Sequence, residues 1–348
     1  MEVPKIFCPE LTDRLIKRVA QSADVTVSQV LLFGDFTDAV TELVQYLDPP
    51  HRKVLVVGHA EPNLAIAVDR AGSQLVEIQP DSPFTADFET ILNEISGGAE
   101  TVCVANPNPI TGIQFSFSEL RRMAAAVSDG TLIVDERYFE FLGITAMPLL
   151  RECSNLVVIR SFSPESPHNA EAGFIVAPAV RIDHLGGSYR WRNMSASLRE
   201  RATSALSNQT TRTERMKTVQ EELRRMCGTL SRLGVQFRFS PTDFLLLRVA
   251  QPTQVGNWMA AAGTPIDNLD GYPGLRQYVR YFVRNRVAND RFLDAFQRMP
   301  SEYYRMPDRG IRSAVLRRRG ERPKTVSIGE APELVTSARD KSVLANAE

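Results

Sequence analysis

Pro49-Pro50-His51-Arg52-Lys53-Val54-Leu55-Val56-Val57 carries the reading that decides the fold. The paired prolines stop a helix, because proline lacks a backbone N–H and its ring clashes with the preceding turn. Val54 to Val57 then run apolar without alternation, which suits a parallel strand buried on both faces. Upstream, Val40, Leu43, Val44 and Leu47 share one face of a helix. Before it, Val27 to Phe33 reads as a short strand that leads into Gly34-Asp35-Phe36-Thr37-Asp38, and Leu11, Leu15, Ile16 and Val19 mark an earlier helix. Downstream the alternation repeats. Helices are expected at Ala65–Ala71, Phe88–Ile95 and near Glu119–Val127, with strands at Gln74–Ile78, Thr101–Ala105, Thr131–Asp135 and Leu156–Arg160. Strands alternating with helices of this length predict an α/β domain with a largely parallel sheet.

The character changes after Ala177. Arg181 to about Cys227 is polar and helical in spacing, with Met216, Val219, Leu223 and Met226 as a buried stripe. Strands at Val235–Phe239, Phe244–Val249 and Tyr278–Val283, and helices at Val255–Ala262 and Asp290–Arg298, complete a smaller α+β unit. The expected organisation is a large domain over 1–180, an interdomain helix and small domain over 181–300, and a basic, then polar extension over 301–348. The run Arg317-Arg318-Arg319 reads first as solvated surface.

Bulk properties exclude several function classes. The 348 residues are 43% apolar and 24% charged with a net charge of zero, which asks for neither nucleic acid nor a membrane surface. Cys8, Cys103, Cys153 and Cys227 are scattered without a C-x-x-C pair, so metal and disulfide use are not expected and a reducing cytoplasm fits. Lysine is scarce. The six are Lys5, Lys17, Lys53, Lys217, Lys324 and Lys341.

Four separated segments, in order, resemble landmarks of the fold-type-I aminotransferases, histidinol-phosphate aminotransferase in particular. Asn106-Pro107-Asn108-Pro109-Ile110-Thr111-Gly112 resembles that family's N-P-N-N-P-T-G turn. Ile133-Val134-Asp135-Glu136-Arg137-Tyr138-Phe139-Glu140-Phe141 is similar to V-D-E-A-Y-x-E-F. Ile159-Arg160-Ser161-Phe162-Ser163, with Ala172-Gly173-Phe174-Ile175-Val176-Ala177 beyond it, resembles R-T-x-S-K followed by R-x-G-Y-x-x-A. Gly271-Tyr272-Pro273-Gly274-Leu275, Tyr278 to Val283 and Asn289-Asp290-Arg291-Phe292-Leu293 are similar to the family's closing motifs. Coverage is about Leu15 to Arg298, and the family's N-terminal arm has no counterpart. The resemblance implies a mostly parallel central sheet with helices on both faces, a smaller α+β C-terminal domain, and a dimer.

The family binds pyridoxal phosphate, which needs a lysine tether, a carboxylate on the pyridine nitrogen, a stacking ring and a phosphate cradle at a helix N-terminus. On that resemblance Asp135 matches the ring carboxylate and Tyr138 the tyrosine near the cofactor hydroxyl. Ser161 and Ser163 match phosphate-side hydroxyls, and Arg280 the arginine that grips a substrate carboxylate with a planar fork. Asp35 and Thr37 stand in a phosphate loop whose central glycine is replaced by Phe36. The lysine position falls on Pro164, and no lysine lies between Lys53 and Lys217. The turn asparagine falls on Pro109, with Asn108 beside it, and the stacking ring falls near Glu61.

These losses lead to the expectation that no cofactor is used, with pyridoxal or pyridoxamine phosphate held without a covalent link as the alternative. A repurposed pocket for an amino-acid-like or phosphorylated small molecule is expected, with Asp135, Tyr138 and His168 as catalytic candidates and Arg280, Glu61 and Asn108 as ligand contacts. His168 equally suits an exposed loop histidine, Asp135 and Tyr138 a helix cap with core packing, and Arg280 one of several surface arginines. Two other readings stay open. One is a pyridoxamine-phosphate enzyme that uses His168 in place of the lysine. The other is a non-catalytic subunit, homodimeric or paired with an active aminotransferase homologue.

Overall fold

The computed structural model describes residues 9–306 except 48–52, 79–83, 85–86, 99, 128–129, 163–171, 187–193 and 208. The first half runs α1 (Pro9–Ala23), β1 (Val30–Phe33), α2 (Phe36–Leu47), β2 (Lys53–Val57), α3 (Pro62–Arg70), β3 (Gln74–Ile78), α4 (Phe88–Ser96), β4 (Thr101–Ala105), α5 (Phe117–Ala126), β5 (Thr131–Asp135), α6 (Phe139–Leu142), β6 (Leu156–Ser161) and β7 (Gly173–Val176). Its seven strands form one sheet in the order β1-β7-β6-β5-β4-β2-β3. The pairs from β3 to β6 are parallel, whereas β7 runs antiparallel to both β6 and β1. This is the α/β architecture with a largely parallel sheet that the alternation predicts.

Each strand of the parallel core shows its two faces to two different apolar clusters, as a period of two requires. Along β5, Leu132 and Val134 join the cluster under α1, α4 and α5, while Ile133 joins the one under α2 and α3. Asp135 continues the Ile133 side and is carried to the sheet's C-terminal end on the α2–α3 face. In open α/β sheets that end is where ligands bind.

The second half runs α7 (Ala179–Gly186), α8 (Ala196–Ser207), α9 (Gln209–Arg232), β8 (Gln236–Arg238), β9 (Phe244–Arg248), α10 (Pro252–Ala261), β10 (Asp267–Asn268), β11 (Tyr278–Phe282), α11 (Arg286–Arg298) and α12 (Ser301–Tyr304). Its strands pair antiparallel in the order β10-β11-β9-β8. The α9 stripe is buried as expected, with Met216, Leu223 and Met226 all inside.

Several elements differ from the sequence expectations. The helices expected from Ala65 and Val255 start three residues earlier, at Pro62 and Pro252, where proline suits the first helical turn, and three further differences stand out. Val27–Gln29 is a 3-10 turn and the strand begins at Val30, because Thr26 and Gln29 bond reciprocally as a capping box. The long helical stretch after Arg181 is three helices, α7, α8 and α9. The last long helix starts at Arg286, four residues early, because the Asn285 side chain accepts from the Ala288 N–H and caps it. Gly112 ends the turn after β4 at φ +70°, and a Cβ there would lie 2.2 Å from the Ser240 side chain, so only glycine lets the two halves approach at this point. Among the described residues no helix is long and apolar enough to cross a membrane, and no acidic, histidine or cysteine cluster suits a metal.

Candidate active site

β5 ends at Asp135, and the next turn returns an arginine onto it. Oδ1 of Asp135 accepts from the backbone N–H of Arg137 at 3.0 Å and from its Nε at 3.0 Å. Oδ2 accepts from Nε at 3.1 Å and from Nη2 at 2.7 Å. Nη2 also donates to Glu61, which stands at the N-cap of α3 ahead of Pro62. There the helix dipole favours a negative charge. The Arg137 guanidinium lies 3.5 Å over the Phe36 ring, at the start of α2. Planar, delocalised and weakly hydrated, a guanidinium is the cation best suited to such a seat.

The cluster is buried, with Arg137 3% and Glu61 8% exposed. Burial pushes the Asp135 carboxyl up to about 7, partly offset by the Arg137 backbone N–H, and pulls Arg137 down to about 9. Two carboxylates share one guanidinium, so the fully ionised cluster carries an excess negative charge.

A cavity of about 20 Å³ adjoins it, lined by Phe36, His59, Glu61, Asn108, Asp135 and Ile159 among others. That is room for about one water molecule. His59 is 3% exposed, and neither ring nitrogen has a hydrogen-bond partner. Its Nδ1 stands 3.7 Å from Glu77, and Tyr272 meets the ring edge-on at 5.6 Å.

The fold brings Asp135, Glu61 and Asn108 to this one cavity. Asn108 holds its own turn: Oδ1 accepts from the N–H groups of Ile110 and Thr111, and Nδ2 donates to the His59 carbonyl at 2.9 Å. Tyr138 turns towards the small sheet, packing on Phe141 and edge-on to Phe244. Burial and the neighbouring Asp243 hold its hydroxyl well above the usual tyrosine range. Arg280 bonds Asp267 opposite it on β10 through Nε at 3.1 Å and Nη2 at 2.8 Å, and gives Nη1 to the Pro109 carbonyl at 2.7 Å. At the loop before α2, Asp35 accepts from the Asp38 N–H at 2.8 Å, and Thr37 lies within the first helical turn. Ser161 closes β6, buried opposite Gly173. Ser163 and His168 lie outside the described residues.

Arg137 and His59 are the two site residues that sequence reasoning missed. The signal for the first is visible, since Arg137 stands where the V-D-E-A-Y motif has alanine. Nothing in the sequence marks His59, whose role depends on burial.

Residues 3–284 match the family described as aminotransferase class I and II. The chain belongs to that family.

Histidinol-phosphate aminotransferase 3 of Mesorhizobium japonicum is 27% identical over 231 residues, which cover 66% of this chain and 62% of that protein, less than two thirds of its length. The histidinol-phosphate aminotransferase of Chlorobium luteolum is 25% identical over 292 residues, 82% of this chain and 81% of that one. Among solved structures, histidinol-phosphate aminotransferase from Sinorhizobium meliloti, in complex with pyridoxal-5'-phosphate, shares the fold at a TM-score of 0.75 and 18% identity, with 83% of this aminotransferase-family chain and 81% of that chain covered.

These relatives correct the expectation that no cofactor is used. This chain's family includes a member of the same fold solved with pyridoxal-5'-phosphate. The expectation fails for a physical reason. A lysine supplies the covalent tether, whereas ring, carboxylate and phosphate contacts bind without it. A missing lysine therefore does not by itself remove the group. As arranged here, however, the described residues do not fit it. Arg137 holds the carboxylate that a pyridine nitrogen would use, the adjoining cavity is water-sized, and Asp35 caps the helix end where a phosphate would sit.

Proposed function

We propose that this aminotransferase-family protein binds and acts on an amino-acid-like or phosphorylated small molecule at the Asp135 cluster, by chemistry other than transamination through a lysine of its own. The observation that carries this is the lysine-free stretch between Lys53 and Lys217, which spans every strand of the large sheet from β3 onward and the loop before β7. A covalent tether needs an amine nucleophile, and proline at position 164 has none. Asp135 and Glu61 are suited to a ligand's amine or ring N–H, and Arg280 to a carboxylate or phosphate if it exchanges Asp267 for the ligand. Pyridoxal-5'-phosphate, which the S. meliloti protein binds, reaches Asp135 in this chain only if Arg137 moves. On this reading the ligand lies between a large domain (1–180) and a small one (181–300), with α12 packed on the small one and the basic, then polar sequence that follows lying outside the described residues.

The test combines incubation with histidinol phosphate, an oxo-acid and pyridoxal phosphate with borohydride reduction and peptide mass mapping. The expected result is no amine transfer above background and no added mass on any peptide between residues 54 and 216. Turnover, or a reducible adduct in that stretch, overturns the proposal.

A second reading is favoured by Arg137, which occupies both carboxylates of the cluster. Here the chain is a non-catalytic subunit, a homodimer or a partner of an active aminotransferase homologue. It predicts that Asp135→Asn leaves a partner's activity unchanged, whereas loss of the dimer abolishes it.

A further inference from the structure

The Asp135 cluster has three features that a seat for a small ligand needs, and a side chain of the protein itself meets all of them. Two carboxylates, Asp135 and Glu61, converge from different elements on one point. Phe36 supplies a flat apolar face, with the guanidinium carbon of the occupant 3.5 Å from the ring centre. The occupant is held by four hydrogen bonds to Asp135 counting its own backbone N–H, at 2.7–3.1 Å. Behind the seat, His59 lines the adjoining cavity with both ring nitrogens buried and without a hydrogen bond, Nδ1 standing 3.7 Å from Glu77. Leaving a buried polar group without a hydrogen bond costs free energy, which a ligand reaching the cavity would recover.

We propose that Arg137 is a tethered occupant of this seat, and that the seat selects flat amidinium and guanidinium cations that donate to Asp135 while lying over Phe36. The proposal rests on the reading of the Asp135 cluster as the ligand site, and it deepens that reading by naming the chemical class the site takes. The excess negative charge selects a cation over a neutral amide of the same shape. The stacking distance selects a planar cation over an ammonium, whose tetrahedral hydrogens do not lie flat on a ring. Arg137 is only two residues from Asp135, so it competes at high effective concentration. Weak binding by the native protein and strong binding once the tether is cut follow from the same geometry. A ligand that displaces the guanidinium also brings atoms within reach of His59.

The test removes the occupant and supplies it in trans. Arg137→Ala is titrated with methylguanidinium and benzamidine at millimolar concentration, with tetramethylammonium, ammonium and urea as controls, followed by calorimetry and thermal melting. Benzamidine or methylguanidinium is expected to bind the variant about tenfold or more tightly than the native protein and to raise its melting temperature, while the controls do neither. Equal binding by both proteins, or equal rescue by tetramethylammonium, overturns the proposal. Should the variant fail to fold, the native protein decides the matter. The Nε–H resonance of Arg137 is expected to shift and lose exchange protection as benzamidine is added, and an unmoved resonance at saturation overturns the proposal. The natural ligand need not be known, so failure of this test is separate from failure of the transamination test above.

Discussion

Asp135 and Glu136 are neighbours in the chain, and each takes an arginine on opposite sides of the sheet, yet the two clusters are built differently. On one side Glu136 accepts from Arg160 at 2.8 and 3.0 Å, from the Thr145 hydroxyl at 2.8 Å and from the Ala146 N–H at 2.5 Å. Arg160 lies 3.6 Å over Phe139, and its Nη2 also reaches Thr145. Both Glu136 oxygens are used, and their partners come from β6 and from the stretch after α6. On the other side Arg137 is shared by Asp135 and Glu61 next to a cavity and an unpartnered histidine. The first cluster is a closed network and the second a seat. The comparison shows that buried arginine–carboxylate pairs are told apart by what lies beside them, because the pairing itself has the same chemistry in both.

The largest effect that could break this comparison is on stability. Arg160→Ala leaves Glu136 buried without its cation and is expected to cost about 3–5 kcal/mol in urea unfolding. Arg137→Ala takes the shared cation from both Asp135 and Glu61, and it is expected to cost less because Asp135, already raised to about 7, takes up a proton that relieves the repulsion between the two carboxylates. Equal losses would show that the two clusters are the same kind of structure.

A pH series sharpens the contrast. The Asp135 carboxyl is raised from its ordinary value to about 7 in the folded protein. The folded state therefore takes up this proton before the unfolded state does. The stabilisation from that uptake is complete below about pH 4 and is lost as pH rises towards 7. Native protein should thus lose about 2 kcal/mol relative to Asp135→Asn between pH 5 and pH 7, measured by unfolding at each pH. A flat difference across that range would place Asp135 in the same closed state as its neighbour.

The smallest effect concerns a third arginine pair. Arg280 and Asp267 face each other across β11 and β10 with Asp267 half-exposed. Asp267→Asn should change stability by less than about 1 kcal/mol and lose even that at high salt. A larger loss would move this pair into the class of the Glu136 network.

Most of the architecture was legible in the sequence because strand and helix periods are local. The apolar runs Val54–Val57 and Thr131–Asp135 and the stripe from Met216 to Met226 each fell where the pattern put them. Boundaries slipped where a side chain intervened, at the Thr26–Gln29 box and the Asn285 cap. The site was legible only in part. Asp135 and Glu61 were expected near one ligand, and they do meet. Asn108 was expected to face a ligand; it lines the cavity, and its amide also closes the turn it sits in. Arg280 was weighed as a surface arginine or a ligand clamp, and in the structure it bonds its cross-strand neighbour Asp267.

What the sequence determined by itself was the order of elements, the family, and the lack of any lysine between Lys53 and Lys217. These are properties of residue type and spacing along the chain. What only the tertiary structure decided was the use made of Arg137 and His59. An arginine two residues after an aspartate can point to solvent or back onto the sheet. It points back because Phe36 from α2 and Glu61 from α3 arrive at the same place, and contacts that far apart in the chain leave no periodic trace in it.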